Sequence, residues 1–300
     1  MKTIFIALTG LALATSAAQA QTATPSSTSV DPRWGCDTVK EFPAPDLGEP
    51  QNIDNFKKQL IYYRCTAYEG DVAKVLAAAE KWVAARAPQV SRPAVVLDID
   101  ETSLSNWPRI LEDGFGYIGS LTHMVMPETK NVIPSAPDCD FSEHDFCADL
   151  DWQQKGLAHA IEPTLKLYKA ARCIGVTAPC TPIDVFFITG RFEHEYNHEK
   201  PSEWTLRNLK AAGYTDVAVD HLYMRGITAD SGVSDYKTSR RVDIENRGYA
   251  IIASVGDQKS DLAGGHAEMT FKIPNPFYFI PEKMIGPRFA ASASTSLSVR

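Results

Sequence analysis

From Glu162 onward, short apolar runs alternate with helical stretches, and this alternation limits the fold more than any other feature of the sequence. Residues 162–175 have helical periodicity, and Ile183 to Ile188 is a buried-type strand. Residues 202–212 are helical and stop at Gly213, 217–224 reads as a strand and 236–247 as a helix. Tyr249 to Val255 is another apolar strand, followed by a short helix and a last strand at 269–273. Such alternation makes an α/β fold with a mainly parallel sheet flanked by helices. Upstream, residues 53–87 are helical, with Gly70 marking a break between two helices and Pro88 ending the second. Ala94 to Leu97 is a short β-branched strand. Residues 103–158 have no clean period and read as an insertion after that strand.

Three of these strands end in polar groups. The first runs into Asp98-Ile99-Asp100-Glu101-Thr102, the second into Thr189-Gly190-Arg191, and the third into Gly256-Asp257-Gln258-Lys259-Ser260-Asp261. The carboxyl ends of parallel strands share one edge, where ligands bind near a topological switch point. Three separated segments therefore converge on one pocket. Asp98 and Asp100 would point to opposite faces of a regular strand, so both reach the pocket only where the chain bends after Asp98. With that bend, one Asp is placed as nucleophile and the other as general acid/base, beside Asp257 and Asp261. Four carboxylates repel one another without a cation among them, and all-oxygen ligands suit Mg²⁺. A lone D-x-D is more often a loop cap after a strand; the third strand, ending in Gly256-Asp257, favours a site.

Thirty Lys and Arg against 37 Asp and Glu give a net charge of −7. That leaves no basic excess for a nucleic-acid backbone, although a local site can still attract a small anion. Lys2, the apolar run Ile4 to Ala14 and Ala18-Gln19-Ala20 read as an export signal over 1–20. The apolar run is shorter than the ~20 residues a membrane span needs. The expected product is soluble and periplasmic or secreted, with a charge of −7 − 1 = −8 once Lys2 is removed. Residues 21–50, rich in Ser, Thr and Pro, form an extended arm, 51–290 the main domain and 291–300 a tail. All six cysteines (Cys36, Cys65, Cys139, Cys147, Cys173, Cys180) follow the signal, which points to disulfides. Proximity favours Cys139–Cys147 and Cys173–Cys180, leaving Cys36–Cys65.

Two motifs compete with this reading. His194-Glu195-Tyr196-Asn197-His198 matches H-E-x-x-H, a zinc-protease signature that needs one continuous helix and a third ligand. Here the segment is almost entirely polar and Pro201 follows at once. Gly114-Phe115-Gly116-Tyr117-Ile118-Gly119 matches G-x-G-x-x-G, but no strand leads into it.

The run Asp98 to Thr102, with Ser105-Asn106, Thr189-Gly190-Arg191, Tyr236-Lys237, Gly256 to Leu262 and Phe271-Lys272-Ile273-Pro274-Asn275-Pro276, resembles the haloacid dehalogenase (HAD) superfamily. More narrowly it is similar to the subfamily IIIB acid phosphatases, which include plant-type acid phosphatases and vegetative storage proteins. Bacterial class C acid phosphatases are related but usually carry Asp where this chain has Ile99. The resemblance implies a Rossmann-like fold in which the insertion at 103–158 caps the pocket. Asn106, Trp107, Phe115, Tyr117 and Trp152 are then candidates to touch substrate. It also implies a Mg²⁺-dependent acid phosphatase acting on small phosphate monoesters through an aspartyl-phosphate. Asp98 would be the nucleophile, and Asp100 would begin protonated, protonate the leaving oxygen and then activate water. Thr189, Gly190 and Lys237 would bind the phosphoryl group. The Asp98 carboxylate, the Asp100 carbonyl and Asp257 would hold Mg²⁺, with Asp261 a ligand or just behind it. The rivals are a zinc metalloprotease using His194 and His198 and a non-catalytic storage or binding protein; some storage relatives lack the nucleophile that Asp98 supplies here.

Overall fold

The computed structural model describes residues 52–112, 114–115, 149–175, 177, 179–193, 198–226 and 232–280. The expected signal, arm and tail, most of the insertion, and Cys36, Cys139 and Cys147 lie outside the described residues. In chain order the elements are α1 (Ile53–Tyr63), α2 (Glu69–Arg86), β1 (Pro93–Leu97), β2 (Leu104–Ser105), α3 (Trp107–Glu112), α4 (Asp149–Lys155) and β3 (His159–Ala160). They continue with α5 (Glu162–Ala171), β4 (Asp184–Glu193), α6 (Pro201–Ala211), β5 (Leu222–Gly226), α7 (Val233–Asn246), β6 (Ala250–Gly256) and β7 (Thr270–Lys272). Five strands form one sheet in the order β5-β4-β1-β6-β7, and every neighbouring pair is parallel. The two-residue strands β2 and β3 pair antiparallel, Leu104 with Ala160 and Ser105 with His159, and so close the base of the insertion.

The alternation along each strand divides the core in two. Val95, Leu97 and Phe187 point to the face covered by Val72, Leu76 and Val83 of α2 and by Leu165 and Tyr168 of α5. Ala94, Val96, Phe186 and Ile188 point the other way, onto Tyr236 and Ile244 of α7. Complete burial of such side chains is worth about 1.5–3 kcal/mol each. Both faces being covered explains why the strands read as continuous apolar runs.

The structure corrects several boundaries. Gly70 does not break the helix; α2 runs through it, and the irregularity is a π-helical turn at Arg64–Tyr68 instead. Helix α5 stops at Ala171, not at 175, because Cys173 turns to φ +57° and pairs with Cys180. Strand β5 begins at Leu222, not at 217, because Val219–His221 forms a 3-10 turn with Val219 exposed. The expected Cys173–Cys180 bridge is present. Cys65 is also disulfide-bonded, to a partner outside the described residues. Among the described residues no helix is long and apolar enough to cross a membrane.

Candidate active site

The chain turns sharply where β1 ends. The Asp98 N–H still donates to the Val255 carbonyl at 3.0 Å. The Ile99 carbonyl then accepts from the N–H groups of Thr102, Ser103 and Leu104 at 3.2, 2.8 and 2.8 Å, with Glu101 at φ +51°. The Ser103 hydroxyl locks the turn by donating to the Asp98 carbonyl at 2.6 Å. This is the bend that the two-residue spacing of the aspartates requires.

Asp98, Asp257 and Asp261 each bring a carboxylate oxygen within 4.8 Å of the others, and all three are buried. Asp257 follows β6, and Asp261 closes a one-turn 3-10 helix, Lys259–Asp261, its Oδ2 accepting from the Gln258 N–H at 2.8 Å. Gly256 allows this close approach, since a Cβ there would overlap the Asp261 side chain. The Asp257 carboxylate accepts from the Thr102 hydroxyl at 3.1 Å and from the amides of Gln258 and Asn275 at 2.5 and 2.7 Å. Lys237 of α7 reaches in from the other face of the sheet. Its ammonium donates to Asp98 at 2.6 Å and to Asp261.

Burial and the charge of Asp261 push the Asp98 carboxyl well above the usual range, with Lys237 opposing. Burial and Asp261 likewise raise Asp257, with Asn275 and Gln258 opposing. Burial alone would lower Lys237, but Asp261 and Asp98 outweigh it and raise its pKa. Three buried carboxylates against one ammonium leave negative charge uncompensated. Such an all-oxygen donor set fits a hard divalent cation.

Asp100 is held separately. Arg191 contacts its Oδ2 through Nε at 3.0 Å and its Oδ1 through Nη2 at 2.6 Å. The Asn106 amide donates to Oδ1 at 2.9 Å. Burial alone would raise Asp100; the Arg191 charge and the hydrogen bonds from Arg191 and Asn106 outweigh it and hold the carboxyl below its ordinary value. That direction belongs to the free chain, whereas the expected protonation of Asp100 belongs to the complex with a negatively charged substrate. The structure joins the expected ligand carboxylates of Asp98, Asp257 and Asp261; Asp100 is expected to bind through its carbonyl, and its carboxylate pairs with Arg191.

Thr189 and Gly190 sit on β4, where its register against β5 jumps from Ile188↔Tyr223 to Phe192↔Arg225. The irregularity falls on Thr189-Gly190-Arg191, as bulges beside sites commonly do. Thr189 is fully buried, and its hydroxyl accepts from the Arg191 N–H at 3.1 Å.

Glu101 was not singled out from sequence, because a third acid after D-x-D reads as more of the same charge. Its buried carboxylate accepts from the Asn106 N–H at 2.5 Å, the Asn106 amide at 3.1 Å and the Tyr278 hydroxyl at 2.8 Å. Burial first, then the charge of Asp100, push it up to about 8. Lys272 donates to the carbonyls of Asp257 and Ile273. It and Asn275 belong to a recognised run, but nothing in the sequence gave them a task.

The aromatic candidates pack inside the protein. Trp107 is 1% exposed, lying against Phe115 and Phe277 with ring centroids 5.9 and 5.0 Å away. Trp152 is 4% exposed and donates to Asn106. Tyr117 lies outside the described residues, as do His194 to Asn197 and the rest of the G-x-G-x-x-G match after Phe115. His198 has φ +64°, which breaks the continuous helix that H-E-x-x-H needs.

Residues 138–281 match a family described as HAD superfamily, subfamily IIIB (acid phosphatase). The matched region holds Thr189, Lys237, Asp257 and Asp261 and begins after Asp98 and Asp100. Acid phosphatase 1 of Solanum lycopersicum is 30% identical over 192 residues, 63% of this chain and 60% of the tomato protein. The stem 28 kDa glycoprotein of Glycine max is 35% identical over 138 residues, covering 43% of this chain and 47% of its own. Vegetative storage protein 1 of Arabidopsis thaliana is 28% identical over 187 residues, covering 62% and 55%. The chain thus spans half to three-fifths of the length of these relatives. The tungstate-bound class C acid phosphatase of Bacillus anthracis shares the fold, with a TM-score of 0.50 at 18% identity over 74% of this chain and 86% of that one.

Proposed function

We propose, from the premise that residues 138–281 belong to the HAD superfamily, subfamily IIIB (acid phosphatase), that this chain is a Mg²⁺-dependent acid phosphatase of small phosphate monoesters. The observation that carries the reading is the buried constellation of Asp98, Asp257 and Asp261 around the Lys237 ammonium. Mg²⁺ held by the carboxylates of Asp98, Asp257 and Asp261 and by the Asp100 carbonyl would neutralise phosphoryl charge and align the ester. Asp98 attacks phosphorus; the Asp98–phosphorus bond forms as the ester oxygen departs. Lys237, the Thr189 hydroxyl and the Gly190 backbone hold the phosphoryl oxygens, since phosphoryl transfer depends mainly on positioning and charge neutralisation. Water then cleaves the aspartyl-phosphate with Asp100 as base, releasing phosphate and restoring Asp98.

The departing oxygen needs a proton, and Arg191 lowers the pKa of Asp100 in the free chain. The substrate supplies it. A phosphate monoester has a second pKa near about 6, so in acid it arrives as a monoanion whose proton reaches the leaving oxygen through Asp100. That gives an acid optimum without a pre-protonated Asp100. The leader-like N-terminus and the disulfides support a secreted or periplasmic protein.

Phosphate release from a panel of monoesters, with EDTA and with Mg²⁺ added back, tests the reading. Activity lost in EDTA and restored by Mg²⁺ is the expected result. Casein cleavage restored by Zn²⁺ alone would overturn it in favour of the protease, and ester binding without release in favour of a storage or binding protein.

A further inference from the structure

We infer that Trp152 and Asn106 are positioning residues for proton transfer at Asp100: Trp152 fixes the amide of Asn106, and Asn106 holds the Asp100 carboxylate. The inference rests on reading Asp100 as the acid/base group of the proposed reaction.

The chemistry of the donors sets the order of the relay. An indole N–H can only donate, and that of Trp152 donates to the Asn106 Oδ1 at 2.8 Å. The amide nitrogen must then face the other way. Its two hydrogens go to Asp100 Oδ1 at 2.9 Å and to Glu101 Oε2 at 3.1 Å. A flipped amide would set its oxygen against the Asp100 carboxylate and its nitrogen against the indole N–H, losing both of those hydrogen bonds. The Asn106 N–H anchors the residue further by donating to Glu101 Oε1 at 2.5 Å. One buried tryptophan thus selects the only amide orientation that supports Asp100.

Both partners of Asp100 lead back to the same pair of helices. Arg191 also donates to the Thr205 hydroxyl on α6 at 3.1 Å, and Asn106 is fixed by Trp152 on α4. Those helices are tied together by Arg207 donating to the Gln154 carbonyl at 2.9 Å. The pair α4–α6 therefore carries the acid/base group from both sides, and the segment that returns from the insertion carries one of the two supports. Asn106 and Trp152 are among the candidates to touch substrate; in the structure Asn106 contacts Asp100 and Trp152 contacts Asn106.

Trp152→Phe removes the N–H and leaves most of the ring packing. It should lower kcat on an alkyl phosphate such as glycerol 2-phosphate by roughly 3- to 10-fold, the loss of one buried hydrogen bond. On p-nitrophenyl phosphate, whose leaving group needs little protonation, the loss should stay under about 2-fold, with KM unchanged on both. Asn106→Ala should lose more on the alkyl ester, and Asn106→Ala/Trp152→Phe no more than Asn106→Ala alone. Losses that multiply in the double variant, or that are equal on the two esters, overturn the relay, because packing alone predicts both. A second measurement needs neither turnover nor the Phe variant. In ¹H–¹⁵N spectra the Trp152 indole proton should exchange slowly in the wild type and shift and exchange faster in Asn106→Ala. An indole signal indifferent to Asn106 overturns the relay whether or not the chain hydrolyses any ester, so its failure is distinguishable from that of the phosphatase reading.

Discussion

Asp98 and Asp100 lie two residues apart, yet they are held by different partners and should fail in different ways. Asp98 is bound to Lys237 and sits with Asp257 and Asp261. As the proposed nucleophile it has no substitute, so Asp98→Asn should abolish turnover of every ester. Asp100, gripped by Arg191 and Asn106, should matter in proportion to how badly the leaving oxygen needs a proton. General acid/base catalysis is worth ~10²–10⁴-fold, so Asp100→Asn should lose more on alkyl than on aryl esters. Pre-steady-state kinetics of Asp100→Asn with the aryl ester in excess should show a burst of phenol, then slow turnover as the phospho-enzyme waits for water. Equal losses without a burst would remove Asp100 from the proton path. Arg191 supplies a separate check. Its charge opposes the effect of burial on Asp100, so Arg191→Gln should move the Asp100 titration to higher pH, followed by ¹³C NMR of the labelled carboxyl. A titration that stays in place would mean the ion pair does not set the protonation state.

At the scale of elements, the site depends on how closely a strand end and the following turn approach. Gly256 closes β6, and the Asp261 side chain occupies the space where a Cβ would stand. Gly256→Ala should cost about 1–3 kcal/mol through overpacking and, by displacing Asp261, should abolish thermal stabilisation by Mg²⁺. A variant that loses stability but keeps the Mg²⁺ shift would show that Asp261 is not needed for the ion. The same scale shows what the sequence could reveal. The strand positions were legible because both sheet faces are covered, which makes Val95, Val96, Phe186 and Phe187 a continuous apolar signal. The motif residues at the strand ends were legible because parallel topology forces those ends to one edge. Element boundaries set by turn chemistry were not. Nothing local marks the 3-10 turn at Val219–His221 as other than a strand, and Gly70 looks like a breaker although α2 passes through it. The partners of Asp100 were hidden for another reason. Arg191, Asn106 and Trp152 are scattered over 86 residues of chain, and only the packing of α4 on α6 makes their hydrogen bonds a unit.

At the scale of the whole molecule, the fold buries several carboxyl groups that water would otherwise keep ionised, and its stability must follow pH. Folding raises Glu101 from 4.5 to about 8, through burial first and the charge of Asp100 second. It raises Asp98 and Asp257 as well, mainly through burial and then Asp261. For each of these acids the folded chain keeps a proton that the unfolded chain has lost. Their stabilisation is whole below the unfolded value and disappears as pH climbs to the folded one. Asp100 has the opposite sign, but its lowered pKa puts its effect below the ordinary 3.8. Lys237, raised from 10.5, stays protonated in both states through the same window. The metal-free protein should therefore lose stability between 4.5 and about 8, the range Glu101 spans. A cation works against that slope. It binds deprotonated carboxylates and stabilises by RT ln(1 + [L]/Kd), a gain that grows as protons leave the cluster. Calorimetry in EDTA should give a Tm that falls with rising pH, and Mg²⁺ should raise Tm less at about pH 5 than at about pH 8. Glu101 is not in the carboxylate cluster. Glu101→Gln should thus flatten the EDTA slope and preserve the Mg²⁺ gain. A Tm that rises with pH in EDTA would mean these acids are ionised in the fold without a cation, and an equal Mg²⁺ gain at both pH values would place the ion away from Asp98 and Asp257.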